Sequence, residues 1–267
     1  MITNIRNSTK YKKLNRLYKK IVSHYFIDNT KFLPQGIDRV YHVHIRKSGG
    51  SSVNVAFWNL ANYDLKKARR EPLLIGNKRS IVRYSDQLIN EGNYFYASSH
   101  FPIWELNLKP QTFTFTILRD PYKRLVSLYK YYKWIEQVDP KIGYELDPSF
   151  YVLKSQKHLL NKTFHDFVNS LSDKYLFGNL FMFDKKLNVK KAIENLHKIN
   201  RICFQDDLNL YTKELSKDLG LELRLPIAQR KFENVNFEIS EGERKIAISL
   251  LEPEIYFYNK AVELFKQ

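Results

Sequence analysis

The chain is poor in cysteine, in acid and in long apolar runs, and each shortage excludes something. Cys203 is its one cysteine among 267 residues, so no intrachain disulfide and no cysteine-based metal cluster can form. Its setting, "RICF", has the character of a buried strand, where a lone thiol serves as a small apolar side chain. No stretch of eighteen apolar residues occurs, so no membrane span is expected. The first twenty residues carry lysines with no apolar segment behind them. That is not the pattern of a secretory leader, and a reducing, cytoplasmic setting is the expectation. Acidic residues number 28 against 44 Lys and Arg, a net charge of +16. A surplus of this size fits an anionic partner: nucleic acid, an acidic surface, or a phosphorylated small molecule. It also fits a surface that is basic only for solubility.

What is present is strongly patterned. Hydrophobic residues make up 43% and aromatics 15%, enough for a substantial core. Residues 1–37 stand apart from the 38–267 body. Tyr11, Leu14, Leu17, Tyr18, Ile21, Val22, Tyr25 and Phe26 recur at helical spacing between Lys12, Lys13, Arg16, Lys19 and Lys20. This is a basic amphipathic helix, able to lie on an anionic membrane or grip a polyanion. The expectation is that its stripe packs on its own domain or on a second subunit, which allows a homodimer through this helix. Residues 40–45 alternate as a strand, and 52–60 have helical spacing. Residues 62–93 suggest loops and short helices. "YFYAS" (94–98), "TFTFTIL" (112–118) and "RICF" (201–204) predict strands. Asp120 and Pro121 mark a helix start whose buried stripe is Leu125, Leu128, Tyr129 and Tyr132. Helical patterns cover 139–178 irregularly, then 187–199, 207–219 ending at Gly220, and 241–266 interrupted at Pro253. Strands alternating with helices predict an α/β fold with a mainly parallel sheet.

The chemistry concentrates in two strand-to-helix loops. "KSGGSS" (47–52) follows the first strand and opens a helix. Free N–H groups at a helix start, glycines that permit close approach, the Lys47 ammonium and the hydroxyls of Ser48, Ser51 and Ser52 together suit a phosphate. A turn that needs Gly49 and Gly50 only for its angle is the plainer alternative. Walker A order is not met, because Lys47 precedes the glycines, so a nucleotide kinase fits poorly. In the second loop, "FTILRDPYKRLVSLYKYY", Arg119 ends a strand and Ser127 lies in the second turn of the following helix. Arg119 suits a two-pronged contact with phosphate, and Ser127 can reach the same group. Two such loops on one sheet imply a ligand with phosphates at both ends. His42 and His44 share a strand face, but no third ligand is in view and no metal is expected.

"HIRKSGGSS" followed by "ILRDPYKRLVSLY" resembles the sulfotransferases that use 3′-phosphoadenosine 5′-phosphosulfate (PAPS), in particular the heparan sulfate 2-O-sulfotransferase branch and its bacterial relatives. That resemblance spans about 38–267 and leaves the N-terminal helix unexplained. It continues through "SSHFPI" (98–103), and more loosely through "ICFQDDLNLYTKELSKDLGL", "NVN" (234–236) and "IYFYNKAVELF". Arg46 departs from it, standing where the family has proline. It implies a P-loop-like three-layer fold, with a central sheet flanked by helices. It also implies transfer of a sulfuryl group from PAPS to a hydroxyl or amine, releasing PAP, without a metal. Lys47 is then placed to stabilise the leaving oxygen. Residues 46–52 hold the 5′-phosphosulfate, and Arg119 and Ser127 hold the 3′-phosphate. Arg230 and Lys231 are candidates to close over the cofactor. His100 is the candidate base, with Glu105 and Asp86 as alternatives. A saccharide or small polar metabolite is the expected acceptor, with a bacterial natural product as runner-up. A polyanion- or nucleic-acid-binding protein on the same fold is the competing class; for the enzyme itself no nucleic-acid partner is expected.

Overall fold

A computed structural model of the chain describes residues 13–15, 17–18, 21–22, 29–62, 72–139, 154–226 and 235–266. Six strands form one sheet: β1 (Arg39–Val43), β2 (Leu73–Gly76), β3 (Arg79–Arg83), β4 (Tyr96–Ser99), β5 (Thr112–Leu118) and β6 (Arg201–Phe204). Their spatial order is β2-β3-β4-β1-β5-β6. The pairs β3–β4, β4–β1, β1–β5 and β5–β6 are parallel, and β2–β3 is antiparallel. Every residue of β1 is buried, as expected of a central strand covered on both faces.

The helices described are α1 (Gly50–Leu60), α2 (Asp86–Glu91), α3 (Pro121–Gln137), α4 (Phe164–Asn169), α5 (Asp173–Leu176), α6 (Gly178–Phe181), α7 (Val189–Leu196), α8 (Leu208–Leu219), α9 (Glu241–Leu250) and α10 (Glu252–Phe265). Two apolar clusters hold them. One joins the sheet to residues of α1, α7, α8 and α10, including Phe57, Leu196, Leu215 and Phe257. The other joins α3, α4 and α9 through Leu125, Tyr129, Phe164, Phe167 and Ala247. This is the α/β architecture expected, a mostly parallel sheet flanked by helices.

Local signals account for most boundaries. The Asp120 side chain accepts from the Lys123 N–H, and Pro121 occupies the first turn of α3, where its missing N–H costs nothing. Gly220 ends α8 in the left-handed region at φ 61°. Pro253 sits in the first turn of α10, so the 241–266 pattern is two helices rather than one bent helix.

One expectation fails. Residues 72–83 are a β-hairpin rather than loop and short helix. Its two-residue turn is Asn77-Lys78, both left-handed at φ 47° and 58°, the geometry of the tight hairpin turn in which glycine normally takes the second place. Where the N-terminal stripe is described, Leu14, Leu17, Tyr18 and Ile21 are exposed in the single chain. Residues 29–33 pack against the sheet. There Phe32 meets the Phe95 ring edge-on at 6.2 Å, and Asn29 Nδ2 donates to Ser80 Oγ at 3.2 Å.

Candidate active site

The order of the strands places the site. After β1 the chain crosses to one side of the sheet and returns as β4, and only then continues on the other side as β5. The loops leaving β1 and β5 therefore diverge from neighbouring strand ends, and such a switch in strand order opens a crevice for ligands.

The loop after β1 turns sharply. Lys47 has φ 65° and Gly49 has φ 84°; the lysine is held in a region that side chains disfavour. Gly49 then starts α1 with no side-chain cap, so N–H groups of its first turn remain available to an anion. The second glycine has a different task from the one its sequence suggests. A Cβ on Gly50 would lie 2.5 Å from His42 Cε1 and 2.6 Å from His44 Cδ2. Gly50 lets His42 of β1 and His44 just beyond it approach the helix, rather than the ligand approach the backbone.

The second loop meets the first directly. Arg119 Nη1 donates to the Lys47 carbonyl at 2.9 Å. Asn179 Nδ2 donates to the Arg119 carbonyl at 2.9 Å, and the Asn179 N–H donates to Glu254 Oε1 at 2.7 Å. Glu254 also pairs with Arg124 at 3.2 Å, and both side chains are almost wholly buried. Arg124 donates further to the carbonyls of Tyr175 and Leu176. A continuous polar chain thus runs from α10 to the turn at Lys47. Ser127 is half-buried in α3. Among the described residues, Ser48 Oγ, Arg46 Nε and Arg119 Nε are buried without a hydrogen-bond partner. Buried polar atoms are rarely left so, and three of them on two facing loops fit an anionic ligand. Lys47 Nζ lies 4.8 Å from the Tyr131 ring centroid, and the Arg46 guanidinium lies 5.4 Å from that of Tyr175.

Three imidazoles line up beside this turn. The rings of His42 and His44 are 4.8 Å apart, and those of His44 and His100 are 4.5 Å apart. Asn54 sets the first two. His42 Nδ1 donates to Asn54 Oδ1 at 2.8 Å, while Asn54 Nδ2 donates to His44 Nδ1 at 3.2 Å. His42 is therefore the Nδ1–H tautomer and His44 the Nε2–H tautomer. Burial holds His42 down to about 4, and holds His44 well below the usual imidazole value with help from the charges of its neighbours. Both are neutral in the fold, and Asn54 binds them as structural groups.

This has a consequence for stability. A histidine whose folded pKa is depressed takes up its proton more readily in the unfolded chain, so stability is full above about pH 6.5 and falls as pH drops toward 4. For His42 alone the loss reaches about 3 kcal/mol by pH 4. Urea titrations at pH 7.5 and 5 should show the midpoint fall at the lower pH; equal midpoints would contradict buried, neutral histidines.

His100 follows β4 directly, as expected. Its Nδ1 lies 2.5 Å from the His44 carbonyl. A carbonyl only accepts, so Nδ1 carries the proton and Nε2 keeps its lone pair. Burial first, and the Arg46 charge second, hold His100 well below the ordinary histidine value, with Lys174 adding to the effect. The alternatives are placed otherwise. Glu105 and Asp86 are exposed, Glu105 in a short 3-10 turn and Asp86 in the first turn of α2. Arg230 and Lys231 lie outside the described residues. Ser51 is exposed and Ser52 half-buried at the start of α1.

The structure adds residues that the motifs did not mark. Lys174, from α5, is depressed by its own burial and then by the Arg46 charge. Tyr84 is exposed, left-handed at φ 49°, and 5.7 Å from the His100 ring. Neither belongs to a recognisable pattern. Only the positive φ of a bulky residue, invisible in sequence, singles out Tyr84.

A family model described as the sulfotransferase family matches residues 30–185, more than half of the chain. Among solved structures, a crystal structure of mouse sulfotransferase SULT7A1 complexed with PAP is similar over 83% of this chain and 66% of that chain, at 13% sequence identity and a TM-score of 0.38. This chain thus spans just under two thirds of that protein's length. No curated protein matches it.

Proposed function

Because the chain belongs to the sulfotransferase family, we propose that it transfers a sulfuryl group from PAPS to a hydroxyl of a saccharide or small polar metabolite, as a relative of the heparan sulfate 2-O-sulfotransferases. The observation that carries this reading is the Arg119–Lys47 contact at 2.9 Å. It brings both anion-suited loops together, which supports their gripping one ligand with two phosphates.

PAPS supplies a sulfur already activated by its phosphate leaving group. The chain's own residues do the rest. The α1 N-terminus, Ser48, Ser51, Ser52 and Arg46 hold the 5′ end, and Arg119 and Ser127 hold the 3′-phosphate. Lys47 offers its ammonium where negative charge builds on the departing oxygen, which is where fixed positive charge lowers a barrier most. His100 Nε2 takes the acceptor's proton. Its low pKa keeps it neutral and ready, and the Nδ1–H bond to the His44 carbonyl keeps it oriented. Tyr84, Tyr175 and Lys174 surround the acceptor side, where tyrosine faces suit a sugar ring and the cation suits polar substituents.

The test is transfer of label from radiolabelled PAPS to a saccharide hydroxyl without added divalent metal. Lys47→Ala should lower that transfer by about a hundredfold or more, while PAP still raises the melting temperature of the variant. Magnesium-dependent ATP turnover in place of sulfuryl transfer would contradict the proposal.

A further inference from the structure

The N-terminal segment presents an apolar helix face that the described domain leaves uncovered. Residues 13–15, 17, 18, 21 and 22 are helical. Leu14, Leu17, Tyr18 and Ile21 follow the i, i+3, i+4, i+7 rule of one face. They are 69%, 55%, 64% and 43% exposed. Four large apolar side chains in one row, all in water, call for a partner.

Charge decides which partner. Residues 1–27 contain Arg6, Lys10, Lys12, Lys13, Arg16, Lys19 and Lys20, and not one Asp or Glu. Two copies of so basic a segment repel one another, which disfavours pairing through this face. An anionic surface attracts it. An apolar helical row with a tyrosine on it, in a segment this rich in lysine, has the composition of one that lies in the headgroup region of a bilayer. Crossing the bilayer is a different matter: among the described residues no helix is long and apolar enough to do so.

We propose that the helical stretch carrying Leu14, Leu17, Tyr18 and Ile21 is an in-plane anchor that holds the enzyme on membranes rich in anionic lipid. Leu14, Leu17, Tyr18 and Ile21 enter the interface, and the lysines meet lipid phosphates. The anchor uses none of the residues assigned to the crevice between β1 and β5, so it stands or falls independently of the proposed reaction.

The experiment is co-sedimentation of the full chain with vesicles of phosphatidylcholine alone and of phosphatidylcholine mixed with phosphatidylglycerol. The expected result is binding to the mixed vesicles only, weakened by salt. Binding should fall by about tenfold or more in the charge-neutral double variant Leu14→Ser, Leu17→Ser, and PAP should still raise that variant's melting temperature as it does for the parent. Undiminished binding by the double variant would overturn the proposal, because the net charge alone would then suffice. Equal binding to neutral vesicles would overturn the lipid assignment. So would a dimer in sedimentation velocity that the double variant dissolves without any change in vesicle binding.

Discussion

His100→Ala lowers turnover by about 10²- to 10⁴-fold, the range lost with a positioned general base, while affinity for PAP stays within a few-fold of the parent. The expectation rests on two features of the ring. The short contact with the His44 carbonyl fixes the proton on Nδ1, so only Nε2 can accept one. The His44 ring packs against it at 4.5 Å and a 42° tilt, and neither interaction uses a residue of the 46–52 turn or Arg119. The variant therefore loses the base and keeps the co-substrate grip. The pH profile carries a second signature. Burial and the Arg46 charge hold His100 well below its ordinary value, so the imidazole stays neutral from pH 8 down past 6.5. The acid limb of kcat should fall below pH 6.5. Initial rates across pH 5–8.5, with PAP affinity measured for the variant, check both points. Preserved turnover, or an acid limb above pH 6.5, would assign the base elsewhere.

Glu254→Ala should destabilise the protein by about 3–5 kcal/mol, the usual cost of leaving one member of a buried ion pair without the other. Glu254 and Arg124 pair at 3.2 Å with essentially no exposure. Burial pushes the Glu254 carboxyl up, and the Arg124 charge and the Asn179 N–H oppose that shift. Removing the carboxylate strands a guanidinium that has no route to water. It also removes the acceptor of the Asn179 N–H, and with it one link in the chain that reaches Arg119 and Lys47. Glu254→Gln should lose less, since its amide oxygen can still accept from Asn179. Arg124→Met combined with Glu254→Leu should recover much of the stability, because no isolated charge is then buried. Urea denaturation of the set measures all three. A loss below about 1 kcal/mol in Glu254→Ala would show that water reaches the pair.

These two predictions differ in how far sequence alone leads to them. "TFTFTIL" and "RICF" coincide with β5 and β6: both are short segments rich in β-branched, aromatic and apolar residues, and the first is bounded by Pro110 and Asp120-Pro121. Asp120-Pro121 and Gly220 declare their helix ends by chemistry that acts within a few residues. The position of His100 just past β4 was legible for the same reason. The Arg124–Glu254 pair was not: its partners are 130 residues apart, and only tertiary structure brings α3 against α10. The hairpin at 73–83 was hidden because its turn uses Asn77-Lys78 without the expected glycine. The Gly50 example is subtler. The motif pointed to the right residue, but the close neighbours are His42 of the preceding strand and His44 just beyond it. Lys174 and Tyr84 reach the His100 side of the crevice from elements whose sequences carry no motif.

The central claim is that one ligand is gripped at both phosphate ends, by the 46–52 turn and by Arg119 with Ser127. Calorimetric titration of the parent and of Arg119→Ala, each with PAP and with 5′-AMP, tests it most directly. The parent should prefer PAP by about ten- to a hundredfold, the worth of charged hydrogen bonds to the extra phosphate, and Arg119→Ala should bind both nucleotides about equally. A parent that does not distinguish PAP from 5′-AMP, or a variant that keeps the full preference, would contradict the account.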